Sequence, residues 1–140
     1  MSAPLSASTA TPAGETILVV EDEPAIRNFV CRTLKRIGYE VLEASDGENA
    51  FEVLTQHHQP LDLLVTDLVM PRLAGPPLAR MLCSWFPCLK VVAMSGYGAG
   101  AQEACDMMLP GTLLLPKPFN AAALTRAVRD ALDADQLATA

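Results

Sequence analysis

LDLLVTDL, residues 61–68, decides how this chain folds. From Leu61 to Thr66 the run is almost continuously apolar, and it stops at a carboxylate, Asp67. A strand-length run with no alternation of polar and apolar residues suits a strand buried on both faces, as in a parallel sheet covered by helices. LKVVAM at 89–94 repeats the pattern and stops at Ser95. Outward from these two, Thr16–Val20, Glu40–Glu43 and Thr112–Leu115 supply further aliphatic runs of strand length. The segments between them carry helical spacing. Ile26, Phe29, Val30, Leu34 and Ile37 follow Pro24, which suits a first helical position. Ala50, Val53 and Leu54 follow the cap candidate Ser45-Asp46; Leu78, Ala79, Leu82 and Trp85 follow Pro76-Pro77; Leu124, Val128, Ala131 and Leu132 follow Asn120. The segment 98–108 has glycines near its start, but Ala101, Ala104, Cys105 and Met108 keep the spacing. Five strands alternating with five helices predict an α/β domain, a doubly wound parallel sheet covered on both faces.

The composition agrees with one domain. Of 140 residues, 51% are hydrophobic and 19% charged, enough for a core that needs no disulfide or metal. Residues 1–14 are rich in Ser, Thr, Ala and Pro and lack charged or aromatic side chains, so they read as a disordered tail. The folded domain is expected over 15–133, with a short C-terminal tail over 134–140. Lys and Arg number 10 against 16 Asp and Glu, a net charge of −6. Such a surface repels phosphate backbones and anionic headgroups, which argues against nucleic-acid or membrane partners. The 4 cysteines form no CxxC pair and read as reduced thiols in a cytoplasmic protein. The first basic residue is Arg27, so no charged n-region of a signal peptide precedes it. The apolar runs fall far short of the ~20 residues that span a bilayer.

In open α/β sheets, sites form beyond the carboxyl ends of the strands. Those positions hold Glu21, Asp22 and Glu23 after the first strand, Asp67 after the third, Ser95-Gly96 after the fourth, and Pro116-Lys117-Pro118 after the fifth. Glu21, Asp22 and Asp67 together would repel one another, and one would take up a proton. A hard divalent cation resolves the conflict, Mg²⁺ first and Mn²⁺ as its substitute, because it prefers oxygen ligands. A bound cation also lets a phosphoryl group approach Asp67, whose carboxylate could attack phosphorus and form an acyl phosphate. Ser95 could hydrogen-bond one phosphoryl oxygen, and Lys117 could neutralise another.

ILVVEDEP (17–24), LLVTDLVMPRLAG (63–75), VVAMSGY (91–97) and LLPKPF (114–119) together resemble the receiver domain of two-component response regulators, over roughly residues 15–133. The resemblance implies a flavodoxin-like sheet of order 2-1-3-4-5, the order of the chemotaxis response regulator. It implies that Asp67 accepts phosphate from a histidine kinase or a histidine phosphotransfer protein. Glu21 and Asp22 would be the acidic pair that holds Mg²⁺, Asp22 directly, with the backbone carbonyl of Val69 completing the protein ligands. Ser95 would be the switch hydroxyl and Lys117 the phosphate-pairing lysine, with the Lys117-Pro118 bond cis. The domain would signal by changing its contacts with a downstream protein, as a monomer or weak homodimer. It would catalyse only its own phosphorylation and dephosphorylation. This chain departs from the family pattern in three places: Glu21 where Asp is also common, Leu114 where many receivers carry Tyr or Phe, and the irregular segment 98–111. The MSGY and LPKPF wording resembles receivers that work with hybrid histidine kinases.

Other readings compete. An aspartate-nucleophile phosphohydrolase would need a second Asp two residues after Asp67, where this chain has Val69. A receiver-like scaffold that accepts no phosphate is the remaining alternative. A flavin module on the same fold would need Ser, Thr or Gly donors in the first loop, which here reads Glu-Asp-Glu-Pro. No helix-turn-helix can be built after residue 133, so the expected unit is a stand-alone receiver without direct DNA binding. His57 and His58 would point about 100° apart on a helix and cannot share an ion. Cys83 and Cys88 have no further ligands nearby for zinc. Met107, Met108 and Leu109 read as core filler.

Overall fold

The computed structural model describes residues 14–57, 60–69, 75–96, 104 and 106–134. In chain order these form β1 (Thr16–Val20), α1 (Pro24–Ile37), β2 (Glu40–Ala44), α2 (Gly47–Thr55), β3 (Leu63–Asp67), α3 (Gly75–Trp85), β4 (Lys90–Ser95), β5 (Leu113–Pro116) and α4 (Ala121–Asp133). The strands make one five-stranded sheet of order β2-β1-β3-β4-β5, parallel at every pairing. The helix expected over 98–108 falls mostly outside the described residues, where only Ala104 and Asp106 carry helical backbone. His58, expected not to share an ion with His57, and Cys105 also lie outside the described residues.

Sequence signals explain where the helices start and stop. Pro24 opens α1, where its missing N–H costs nothing, and Gly38 ends it at φ 123, a backbone angle that side chains resist. The Asp46 carboxylate caps α2 by accepting from the Asn49 amide at 2.8 Å, and Asn120 caps α4 from the Ala123 amide at 2.8 Å. Each cap contributes about 1 kcal/mol.

Strand β1 spans the predicted residues and β2 ends one residue later, whereas β3, β4 and β5 start one or two residues later than the apolar runs predict. Leu61 and Leu89 are buried at 4% and 8% exposure, yet both precede their strands. Apolarity reports burial, and here burial begins below the hydrogen-bonded ladder. Asp62 sits at that edge, its carboxylate accepting from the Thr16 amide at 2.8 Å. At the other end the ladder continues into the polar residues, since Asp67 pairs with Met94 and Ser95 with Pro116. Asp67 and Ser95 are therefore the last residues of their strands rather than the first beyond them.

Both faces of the sheet are covered. Alternate residues Ile17, Val19, Leu63, Val65, Val92 and Met94 pack with Val30, Leu34, Leu124 and Val128 of α1 and α4. Leu18, Val20, Leu64 and Val91 pack the opposite way, with Ala50, Leu78, Ala79 and Leu82 of α2 and α3. Each fully buried Leu, Ile or Val contributes about 1.5–3 kcal/mol of transfer free energy. Central β1 and β3 are buried at all positions, which is why their sequences show no alternation. The expected core role of the methionine pair is corrected in part. Met108 packs against the second cluster, whereas Met107 is 54% exposed and its carbonyl accepts from Arg80 Nη2. A turn closed by the Met107 N–H donating to the Ala104 carbonyl at 3.1 Å carries the pair, so the two neighbours need not share one environment. Among the described residues, no helix is long and apolar enough to cross a membrane.

Candidate functional site

Neighbouring β1 and β3 bring their carboxyl ends together, with Val20 opposite Thr66 in register. The chain beyond Val20 and the end of β3 therefore place Glu21, Asp22 and Asp67 side by side, offering carboxylate oxygens within 4.8 Å of one another. Glu21 is 1% exposed and Asp67 8%, while Asp22 faces solvent. From the far side of β4, Lys117 reaches in. Its Nζ lies 3.0 Å from Glu21 Oε1 and 3.3 Å from Asp67 Oδ1. Local amides bond the same pair: Glu21 Oε2 accepts from the Glu23 amide at 3.1 Å, and Asp67 Oδ1 from the Leu68 amide at 3.0 Å.

Electrostatics record the crowding. Burial pushes the Glu21 carboxyl up to about 7, helped by the Asp67 charge and opposed by Lys117 and the Glu23 amide. Burial also raises Asp67, with the charge of Asp22 adding and Lys117 subtracting. Burial alone would lower Lys117, but its bond to Glu21 and the Asp67 charge outweigh that and hold it above the ordinary lysine range. One ammonium thus serves two buried carboxylates, and an exposed third remains. Three hard oxygen donors, a surplus of negative charge and a solvent-facing side fit a divalent cation that keeps some of its water.

The other expected residues ring this cluster. Ser95 is half-buried at the end of β4, and its carbonyl accepts from the Lys117 amide at 2.7 Å, tying the lysine loop to the strand. The Lys117-Pro118 bond is cis. Val69 lies two residues past Asp67 with its side chain exposed. Beside Lys117 opens a groove of about 260 Å³ between α1 and the β5–α4 loop, lined by Ala25, Ile26, Phe29, Pro118 and Phe119. Leu114 is 46% exposed and sits on the opposite face of β5 from Leu115. Cys31, Cys83 and Cys88 are free thiols, and burial raises Cys31 to about 11, which leaves it unreactive.

Sequence reasoning missed two residues that shape the site. Arg27 Nη1 donates to the Glu21 carbonyl at 2.8 Å. At Gly75 a Cβ would stand 2.7 Å from the Asp67 carbonyl oxygen and 3.1 Å from Leu68 Cα, so only glycine lets α3 begin this close to the end of β3. The glycine was visible as the last residue of LVMPRLAG, but its contact required the fold.

Comparison with known proteins agrees with this architecture. The family model for the response regulator receiver domain matches residues 17–129. The chain is 38% identical over 121 residues to the sensor kinase CckA of Brucella abortus, a match covering 84% of this chain and 12% of that kinase. It is 35% identical over 104 residues to the response regulator receiver protein CpdR of the same organism, covering 74% of this chain and 85% of CpdR. Among solved structures, the receiver domain of the hybrid histidine kinase CckA superposes with a TM-score of 0.69 at 36% identity, covering 84% of this chain and 99% of that one. A response regulator receiver protein from Sinorhizobium medicae superposes with a TM-score of 0.75 at 31% identity, covering 87% and 97%. The chain therefore spans a small part of the kinase and most of the single receivers. With the sheet order, the acidic cluster and the lysine already placed, it belongs to the response regulator receiver domain family of two-component signalling.

Proposed function

We propose that Asp67 is a phosphoacceptor, charged by a phosphohistidine on a histidine kinase or histidine phosphotransfer protein in a Mg²⁺-dependent reaction. The observation that carries this reading is the convergence of Glu21, Asp22 and Asp67 within 4.8 Å, with Lys117 Nζ bonded to Glu21 and Asp67. Asp22 and Asp67, with the Val69 carbonyl, would hold the cation, and Glu21 would support it from its buried position. Bound there, Mg²⁺ supplies charge neutralisation for the incoming phosphoryl oxygens. An Asp67 carboxylate oxygen forms the new bond to phosphorus, the phosphorus–nitrogen bond breaks, and the donor imidazole leaves with the electron pair. Lys117 exchanges its carboxylate partners for a phosphoryl oxygen, and Ser95 Oγ donates to another. Those bonds strengthen only once the phosphoryl group is present, so they draw Ser95 and Lys117 toward it and alter the surface offered to a downstream protein.

A turnover phosphohydrolase is less well supported, because the exposed side chain two residues past Asp67 is the hydrocarbon of Val69. The net charge of −6 disfavours a nucleic-acid partner, and the likeness to the CckA receiver supports association with a hybrid kinase in the cytoplasm. Incubation with acetyl phosphate and Mg²⁺ should add one phosphoryl group, a mass gain of about 80 Da, located at Asp67. Asp67→Asn should abolish it. Labelling at the normal rate in that variant would sink the assignment.

A further inference from the structure

Arg27 has no part in the chemistry above, yet it is built into the site. It stands in the first turn of α1, 19% exposed, and faces two acceptors on different elements. Its Nη1 donates to the Glu21 carbonyl at 2.8 Å, and its Nε lies 3.4 Å from Glu43 Oε1 on β2. That carbonyl belongs to the peptide leading into Asp22, so its orientation sets the direction in which Asp22 leaves the loop. The rest of Glu21 is held as well: its N–H donates to the Ala44 carbonyl at 3.2 Å, and its carboxylate oxygens accept from the Glu23 amide and Lys117. Arg27 supplies a side-chain bond to the Glu21 backbone from the neighbouring helix. Asp22, by contrast, is exposed, and the loop backbone must aim it.

The geometry points to Arg27 as a positioning residue that fixes the Glu21–Asp22 peptide for metal binding, with Glu43 as its anchor. Arginine suits this because one N–H of its rigid, planar guanidinium donates to the Glu21 carbonyl while the same cation pairs with the Glu43 carboxylate at 3.4 Å, which a lysine ammonium cannot reproduce with the same geometry. Charge and geometry here act in opposite directions. A guanidinium near an acidic cluster repels a dication, so removing it for electrostatic reasons alone would tighten metal binding. Removing a support behind a ligand loosens it, typically by about 10–100-fold. The sign of the effect therefore separates the two.

The inference rests on the metal reading of the acidic cluster, and the test keeps the two apart. Mn²⁺ binding is followed by electron paramagnetic resonance, and Mg²⁺ binding by calorimetry, for the natural chain, Arg27→Met, Arg27→Lys and Glu43→Gln. Folding is checked by circular dichroism in chelator. The expected result is Mn²⁺ affinity reduced about tenfold or more in Arg27→Met, partly recovered in Arg27→Lys, and reduced less in Glu43→Gln. The metal concentration for half-maximal labelling by acetyl phosphate should rise in the same order. Should Arg27→Met fail to fold, the graded losses in Arg27→Lys and Glu43→Gln carry the test. Unchanged or tighter Mn²⁺ binding in the folded Arg27 variants overturns the clamp alone, whereas a natural chain that binds no Mn²⁺ overturns the metal reading and the clamp with it.

Discussion

Lys117 carries the tension of the site. It bonds to Glu21 at 3.0 Å and Asp67 at 3.3 Å, standing where it offsets the repulsion that a dication would otherwise relieve. Lys117→Met should consequently strengthen Mg²⁺ binding, since it removes a competing cation, while slowing phosphorylation of Asp67 because an incoming phosphoryl oxygen loses its counter-charge. The same variant should lower metal-free stability by about 1–3 kcal/mol, because two buried carboxylates lose a partner. Calorimetric titration and a chemical melt check both, and weaker Mg²⁺ binding would show that Lys117 assists the metal rather than competing with it. Much of this was legible in the chain: Glu21, Asp22, Asp67 and Lys117 all fall at strand ends, and the alternation of elements predicts that those ends share one edge. The Lys117–Glu21 bond was not, since it joins residues 96 positions apart and depends on side-chain reach. Arg27 was hidden for another reason. Its main partner is a backbone carbonyl, which leaves no mark in any sequence pattern.

At the scale of elements, the approach of α3 to β3 sets where Asp67 points. Gly75 donates its amide to the Leu68 carbonyl at 3.2 Å, and a Cβ there would meet the Asp67 carbonyl oxygen at 2.7 Å. Backbone cannot yield as a flexible side chain does, so Gly75→Ala should push α3 and the end of β3 apart. The expected cost is about 1–3 kcal/mol, the range of overpacking, together with slower labelling of Asp67 by acetyl phosphate. A variant that melts and labels like the natural chain would mean the loop absorbs the methyl group without moving Asp67. Element identities were readable because helix and strand periods differ and because Pro24, Asp46 and Asn120 punctuate them. The strand limits shifted for a physical reason: Leu61 and Leu89 are apolar for burial rather than pairing, while polar Asp67 and Ser95 still pair. The residues with the least apolar character at those ends proved to be both ladder and site.

For the whole molecule, site and stability are one linked system. The folded, metal-free domain holds Glu21 near 7 against an ordinary 4.5, and Asp67 is displaced in the same direction. Between those two pH values the folded state retains a proton that the unfolded chain has released. By linkage, the stability contributed by this group is fully present below pH 4.5 and is lost as pH rises through about 7. Divalent cation binding has the opposite dependence, because the carboxylates must be deprotonated to act as ligands. Saturating Mg²⁺ adds stability only to the folded state, about 2.7 kcal/mol at a concentration 100 times its dissociation constant. Melting curves between pH 5 and 8 (roughly the span over which a carboxyl near 7 titrates) should therefore slope downward with pH in chelator. In excess Mg²⁺ the slope should flatten or reverse, and the gap between the two series should widen toward high pH. Glu21→Gln removes the main titrating carboxyl and should level the chelator series. Parallel curves in chelator and Mg²⁺ would show that the acidic cluster and the bound cation are not linked, and would detach Glu21 from the metal site.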